Sequence, residues 1–293
     1  MKPAPFEYIA PEDLRGVLAA LHEYGFDAKL LAGGQSLVPV MNFRLAQPGV
    51  LIDLNTVPEL DFIQREADGR LRFGSMVRQR RLERDLLVRE HAPLLHETMP
   101  HIAHPQIRNR GTFGGSIAHA DPAGELPVIA VALNGRFHIQ STTTDRWVNA
   151  VDFFQALFET DCGDEEMITE IELPPMAANT GTAFTEVARR HGDYALGGVA
   201  AVVTVDANQV CTAARLVYLN AGEVPMVANK AAQMLVGERM SEGLLMETAV
   251  TASTEEINPT SDIHANDEYK RHLAKVLTTR VLKTAFERAV NSN

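Results

Sequence analysis

Two glycine pairs are the residues of this 293-residue chain whose type and spacing could do chemistry. The first lies in AGGQS, residues 32–36, directly after the apolar run AKLLA; the second lies in GTFGGS, residues 111–116. A glycine pair lets backbone N–H groups approach a ligand with no Cβ in the way. Successive N–H groups form a nest that can hold a pyrophosphate without Lys or Arg. A helix starting after Gln35-Ser36 would add its positive N-terminal end. Ser36, Thr112 and Ser116 can each donate one hydroxyl hydrogen bond. Glycine pairs are also common in plain turns. Neither pair matches GxGxxG or GxxxxGK[ST], so neither a Rossmann site nor a P-loop is indicated. The residues alone leave a turn pair and a dinucleotide-type ligand both open.

The elements that must position these loops can be read from apolar spacing. In PEDLRGVLAALHEYG, Leu14, Val17, Leu18 and Leu21 share one helical face, with Pro11 placed in the first turn and Gly25 at the exit. AKLLA (28–32) and VLIDL (50–54) read as buried strands joined through a helical stretch near 37–45, which makes a small parallel βαβ unit. Asp68-Gly69 reads as a hairpin turn. Residues 78–100 read as helices with Leu82, Leu86 and Leu87 on one stripe. Residues 101–121, rich in Pro, Gly, His and Asn, read as a long functional loop. Asp121-Pro122 reads as N-cap and first residue of a helix through ELPVIAVAL, which Asn134-Gly135 ends. Strands are expected near 136–148 and 167–173. LPPMAANTG (173–181) reads as a linker. Beyond it, strands near 182–189, 198–206 and 210–219 precede helices at 226–236, 241–256 and 267–289, an α+β arrangement.

Composition removes several functions. With 45% hydrophobic and 22% charged residues the chain is globular in make-up, and its length suggests roughly two domains. No stretch is long and apolar enough for a membrane span. The N-terminus lacks a basic head followed by an apolar block, so no secretory signal is expected. A net charge of −11 argues against nucleic acid. Cys162 and Cys211 are the only cysteines, so a disulfide framework is not expected and the cytoplasm is the default compartment. Two cysteines also fall short of the four that an iron–sulfur centre usually takes.

The segments AKLLAGGQSLVPVMNFRLAQPGVLIDLN and IRNRGTFGGSIAHADPAGELPVIAVAL, together with HGDYA at 191–195 and YKRHLAKVLTTR at 269–280, resemble the FAD-binding (medium) subunit of molybdenum hydroxylases of the carbon-monoxide-dehydrogenase and xanthine-dehydrogenase type. The resemblance runs through almost the whole chain. It implies an α+β protein: a two-subdomain FAD-binding fold of the vanillyl-alcohol-oxidase (PCMH) type over 1–175, with subdomains of about 1–60 and 61–175, then a C-terminal α+β domain of antiparallel strands and helices over 178–293. It implies FAD on this chain, and a molybdenum cofactor and two [2Fe–2S] clusters on partners: a large molybdopterin-binding subunit and a small iron–sulfur subunit, in a heterotrimer or a dimer of heterotrimers. The implied role is to carry electrons from those clusters to an external acceptor, with no catalytic side chain and no metal on this chain.

Carried over by position, the resemblance puts Ala32, Gly33, Gly34, Gln35 and Ser36 of the first loop, and Thr112, Gly114, Gly115 and Ser116 of the second, around the FAD pyrophosphate. The family often has Asn where Ser116 stands, which weakens that one contact. Glu125 takes the place of an acidic residue near the ribityl or ribose hydroxyls; its plainer reading is a first-turn carboxylate favoured by the helix dipole. Asp121 is either a ligand contact or only an N-cap. Tyr194 is either stacked against the isoalloxazine ring or a core tyrosine with a satisfied hydroxyl.

Other features point less far. His101, His104 and His119 cluster in sequence, but Pro100 and Pro105 bracket the first two and no Cys or carboxylate at ligand spacing joins them, so no metal site is expected. The Arg-rich stretch from Arg70 to Arg89 reads as a solvated helical face, or as a docking surface for a partner subunit. Two rival functions stand beside the electron-transfer reading. One is a free-standing flavin oxidase of the vanillyl-alcohol-oxidase type, which would need an acid or base that nothing in 178–293 announces. The other is a binding or assembly protein that has lost flavin.

Overall fold

The computed structural model describes residues 2–291. The first layer is a parallel sheet of β1 (Glu7–Ile9), β2 (Ala28–Leu31) and β3 (Val50–Asp53) in the order β1-β3-β2. The expected βαβ unit is β2, helix Leu37–Asn42 and β3; β1 is an addition the sequence pattern did not announce. All four residues of β3 are buried, as suits the central strand of a covered parallel sheet. Helix Leu14–Tyr24 lays Val17 and Leu21 onto that sheet. Its cap is Asp13, whose carboxylate accepts from the Gly16 N–H at 2.7 Å, so Pro11 lies outside the helix rather than in its first turn. Gly25, at φ 48°, ends it as expected.

The second layer is antiparallel: β4 (Ile63–Arg65), β5 (Leu71–Gly74), β6 (Arg136–Gln140), β7 (Asp145–Asn149) and, after a short hairpin of β8 (Phe154–Ala156) and β9 (Glu159–Thr160), β10 (Met167–Leu173). The order is β4-β5-β10-β6-β7. Asp68-Gly69 forms the β4–β5 turn with Gly69 at φ 90°. The helices after β5 are broken into Gln79–Leu82, Leu86–His91 and Pro93–Thr98. Asp85 starts the second by accepting from the Leu87 and Val88 N–H groups. That restart resets the buried face, so Leu82 is buried while Leu86 is exposed, and the expected single stripe does not form.

The expected loop of 101–121 contains helices Pro105–Arg108 and Phe113–His119. Both are under two turns, too short for an apolar period to register. Helix Glu125–Ala132 takes Gly124 as its cap, so Asp121 is not its N-cap. Asp121 instead accepts from the Ala123 N–H at 2.9 Å and closes a turn ahead of the helix.

The third layer is β11 (Thr180–Ala188), β12 (Ala195–Val205), β13 (Cys211–Leu219) and β14 (Met226–Val227), antiparallel in that order. Met226 and Val227 pair with Tyr218 and Val217, so the helix expected from 226 begins at Asn229. Helices Glu242–Thr251 and Asp267–Asn291 follow, and Leu273, Leu277 and Val281 are buried as their four-residue spacing predicts. One face of this sheet packs on helix Asp267–Asn291. The other sends Ala200, Val217 and Leu219 into the same core as Leu126–Leu133. Helix Glu125–Ala132 is therefore buried all round from Leu126 onward, which explains its unbroken apolar sequence. The same core takes Phe113 and Ile117 from the helix that carries the second glycine pair. The α+β architecture expected from the sequence is the one observed.

Candidate functional site

The first glycine loop follows the last residue of β2. The N–H groups of Gly33, Gly34, Gln35 and Ser36 donate to no other described residue. Four consecutive free amides make the anion nest that the glycine pair suggested. Gly34 sits at φ 72°, a backbone conformation that L residues adopt at a cost. Asn55 holds the loop by donating from Nδ2 to the Ala32 carbonyl at 3.0 Å, and Gln35 donates from Nε2 to the Gly33 carbonyl at 3.1 Å. The helix that follows, Leu37–Asn42, has only six residues, so the amides themselves supply most of the positive potential.

The second loop is built differently. Thr112 caps helix Phe113–His119 by accepting from the Gly115 N–H at 3.0 Å. Phe113 donates its N–H to the Val77 carbonyl, Gly114 to Ser75, and Ser116 to Thr112. Most amides here are spent inside the protein, so this loop offers side-chain hydroxyls and shape more than free N–H groups. Its glycines serve close packing. A Cβ on Gly114 would stand 2.8 Å from the Ser75 Cα, and one on Gly115 would stand 2.6 Å from Thr112 Oγ1 and 3.3 Å from the Ala32 Cβ. A Cβ on Gly33 would meet the Arg110 carbonyl carbon and the Gly111 Cα, both at 2.9 Å. The two loops, some eighty residues apart in sequence, thus abut one another.

A residue that the sequence reading passed over braces them. The Arg78 guanidinium donates to the Arg110 carbonyl beside the second loop and to Asn55 Oδ1, while Asn55 holds the first. Burial, and then the positive charge of Arg110, holds the Arg78 pKa below its usual value. Arg78 lies inside the Arg-rich stretch, and no local pattern separates it from its neighbours. Those neighbours are committed elsewhere: Arg70 to Asp68 and Glu172, Arg72 to Glu66 and Glu170, Arg80 to Glu83, Arg81 to Asp61. The stretch is thus partly strand, partly helix, and largely ion-paired, rather than one solvated helical face.

Asp121, Glu125 and Tyr194 form a third group. Glu125 is half-buried at the start of its helix. Burial, and then the nearby Glu186, pushes its carboxyl up to about 8, so it keeps its proton at neutral pH and can donate a hydrogen bond. The Glu186 side chain is buried; its Oε1 lies 3.5 Å from His101 Nδ1, and its Oε2 has no partner among the described residues. The Tyr194 side chain is 69% exposed, which removes the core-tyrosine reading. Its phenol is shifted upward by partial burial and then by Asp121 and Glu125, which places all three side chains in one neighbourhood. The three clustered histidines part company: His101 faces Glu186, His104 meets the His191 ring at 6.2 Å, and His119 packs on Phe158 at 5.2 Å. Among the described residues no three His, Cys, Asp or Glu side chains converge as metal ligands would.

Residues 4–176 match the FAD binding domain in molybdopterin dehydrogenase, and residues 182–285 match the CO dehydrogenase flavoprotein C-terminal domain. The chain belongs to the molybdopterin-dehydrogenase flavoprotein family. The alpha subunit of the 6-hydroxypseudooxynicotine dehydrogenase complex of Paenarthrobacter nicotinovorans is 37% identical over 289 residues, spanning 99% of this chain and 97% of that one. Carbon monoxide dehydrogenase of Hydrogenophaga pseudoflava superposes with a TM-score of 0.95 at 35% identity, over 98% of this chain and 99% of that one. Quinoline 2-oxidoreductase of Pseudomonas putida 86 gives 0.94 at 37%, over 99% and 100%. For a member of this oxidoreductase family the cofactor is FAD, and the geometry fits it. A nest of free amides suits a diphosphate, a braced second loop walls it, and an exposed aromatic stands beside a protonated carboxyl.

Proposed function

We propose that this chain is the FAD-carrying electron-transfer subunit of a molybdenum hydroxylase, taking electrons from [2Fe–2S] clusters on a small partner subunit and passing them to an external acceptor. The observation that carries the site assignment is the run of four free amides, Gly33 to Ser36, abutting the Thr112–Ser116 loop. FAD, when bound, supplies the redox chemistry; the chain's residues hold and orient it. The Gly33–Ser36 amides grip the diphosphate, the Thr112 and Ser116 hydroxyls flank it, Asp121 and protonated Glu125 address sugar or ribityl hydroxyls, and Tyr194 covers the ring.

The partner assignment follows from chemistry this chain lacks. Its two cysteines are both free and distant in sequence, so the clusters belong to another subunit and the molybdenum centre to a third. A heterotrimer, or a dimer of heterotrimers, is the assembly we propose. Residues 1–175 form its flavin domain and residues 178–293 a C-terminal domain that closes one side of the flavin cleft. Free thiols also fit a reducing cytoplasm, and no described helix is long and apolar enough to cross a membrane.

The test is anaerobic addition of candidate substrates to the co-purified complex. Those to try are CO, purines, N-heterocycles and aldehydes. Bleaching of the flavin band, together with substrate-dependent reduction of the clusters, is expected. A flavin that is reduced by an organic substrate when this chain is alone would overturn the relay and favour a free-standing oxidase.

A further inference from the structure

Lys270 is the second residue of the YKRHLAKVLTTR segment, which the flavin site as described does not use. It is 3% exposed, and a lysine so buried must be paired. Its ammonium meets Asp262 Oδ2 at 2.7 Å and donates to Asn220 Oδ1 at 3.1 Å. Asp262 is fixed in turn by the N–H groups of His264 and Ala265 at 2.7 and 2.9 Å. Asn220 stands just past the end of β13 in the left-handed region, φ 52°. Its backbone N–H donates to the Pro122 carbonyl at 2.7 Å, and its Nδ2 donates to the Ala195 carbonyl at 2.7 Å.

Those two carbonyls are informative. Pro122 lies in the turn between Asp121 and Glu125, and Ala195 directly follows Tyr194. One residue therefore fastens both pieces of this group, one in a turn between two helices and the other at the start of β12, about seventy residues apart in sequence. Lysine offers donors only, so the Asn220 carboxamide must turn its oxygen toward Lys270 and its NH2 toward Ala195. The ammonium thereby dictates the carboxamide's orientation.

We propose that Lys270 is a positioning residue which, by orienting Asn220, sets the separation between the Asp121–Glu125 turn and Tyr194. The proposal rests on the flavin reading for its consequence but not for its geometry. Replacing Lys270 by Met removes the donor to the Asn220 oxygen, which frees the carboxamide to leave Ala195 and loosens the residue whose own N–H holds the Pro122 carbonyl. A lysine that only satisfied local polar groups would affect overall stability and nothing else.

The experiment uses the full chain and three variants: Lys270→Met, Asn220→Ala, and Leu282→Ala. Leu282 is a fully buried residue three turns further along the same helix and serves as a control for general destabilisation. FAD dissociation constants are measured well below every melting temperature, and amide hydrogen exchange is followed at Gly124 and Asn220. We expect Lys270→Met and Asn220→Ala each to weaken FAD binding by about five- to a hundredfold, with faster exchange at both amides. Leu282→Ala should lower the melting temperature with the wild-type dissociation constant kept. Wild-type FAD affinity and exchange in Lys270→Met, or equal loss of affinity in Leu282→Ala, would overturn the proposal. Failure of the wild-type chain to bind FAD would instead overturn the flavin reading, and the exchange comparison would still decide the Lys270 role.

Discussion

The contact between the two glycine loops makes Gly33→Ala the sharpest perturbation available. The added Cβ would stand 2.9 Å from the Arg110 carbonyl carbon and from the Gly111 Cα, and it would press on backbone that cannot rotate away. Ordinary contact requires about half an ångström more, so the loops must separate. Overpacking of this kind costs about 1–3 kcal/mol. The free chain can relieve much of it by opening the loops, whereas the FAD complex needs them closed. The strain therefore appears mainly as lost affinity, an increase of about 5- to 150-fold in Kd. Gly197→Ala is the contrasting control. Its Cβ meets nothing within 4 Å, and a glycine replaced without strain stabilises by about 0.4–1 kcal/mol through the unfolded chain. Fluorescence titration of FAD with both purified variants is the assay. A Gly33→Ala protein that binds FAD as tightly as the wild type would refute the argument that these loops must touch for the diphosphate to be held.

The remaining expectations concern other parts of the site. Gly34→Val, which must place a branched side chain at φ 72°, and Gly115→Val, which drives side-chain atoms toward Thr112 and Ala32, should each abolish FAD retention; full flavin occupancy in both would count against the nest. Tyr194→Ala removes an exposed ring with little packing of its own, so flavin content should hold while reoxidation by the acceptor changes, as read by stopped flow. Glu125 binds its proton more tightly folded, up to about 8, than unfolded, near 4.5; its stabilising contribution is complete below the lower value and lost as pH rises through the higher one. Melting temperatures of the FAD-free chain should therefore fall across that window and fall less in Glu125→Gln, and parallel pH profiles for the two proteins would contradict the shift.

Much of the fold was legible because its signals are local. The spacing of Val17 and Leu21, the strands at 28–31 and 50–53, the Asp68-Gly69 turn and the stripe of Leu273, Leu277 and Val281 each depend on residues within a few positions of one another, although only Ala28 of the first strand is buried where a buried run is expected. Errors fell where a short-range rule met a long-range competitor. Asp121-Pro122 has the chemistry of a helix start, yet its turn is held by Asn220 from just past β13, and the helix runs from Glu125 with Gly124 as its cap. Leu86 has the right spacing for a stripe, but Asp85 restarts the helix and turns it outward. Met226 and Val227 look helical until β13 offers them a ladder.

The site divides along the same line. Glycine pairs can be seen in a sequence, but their duties cannot be told apart there. Gly34 supplies a positive φ, Gly33 and Gly115 allow one loop to touch another, and Gly114 lets a helix lie on Ser75. Only the first loop keeps its amides free, and that difference depends on Val77 and Ser75, which lie nearly forty residues before the second loop and consume its donors. Asn55, Arg78, Asn220 and Lys270 are single polar residues with no motif around them that marks a role. Asn55 and Arg78 hold the Ala32 and Arg110 carbonyls, Asn220 holds those of Pro122 and Ala195, and Lys270 acts through Asn220. The groups that would touch the cofactor sit on short, glycine-rich or exposed segments with little packing of their own. Their geometry is therefore set by these side-chain-to-backbone ties, and variants of the ties should alter flavin binding even though none of the four residues is placed against the flavin itself.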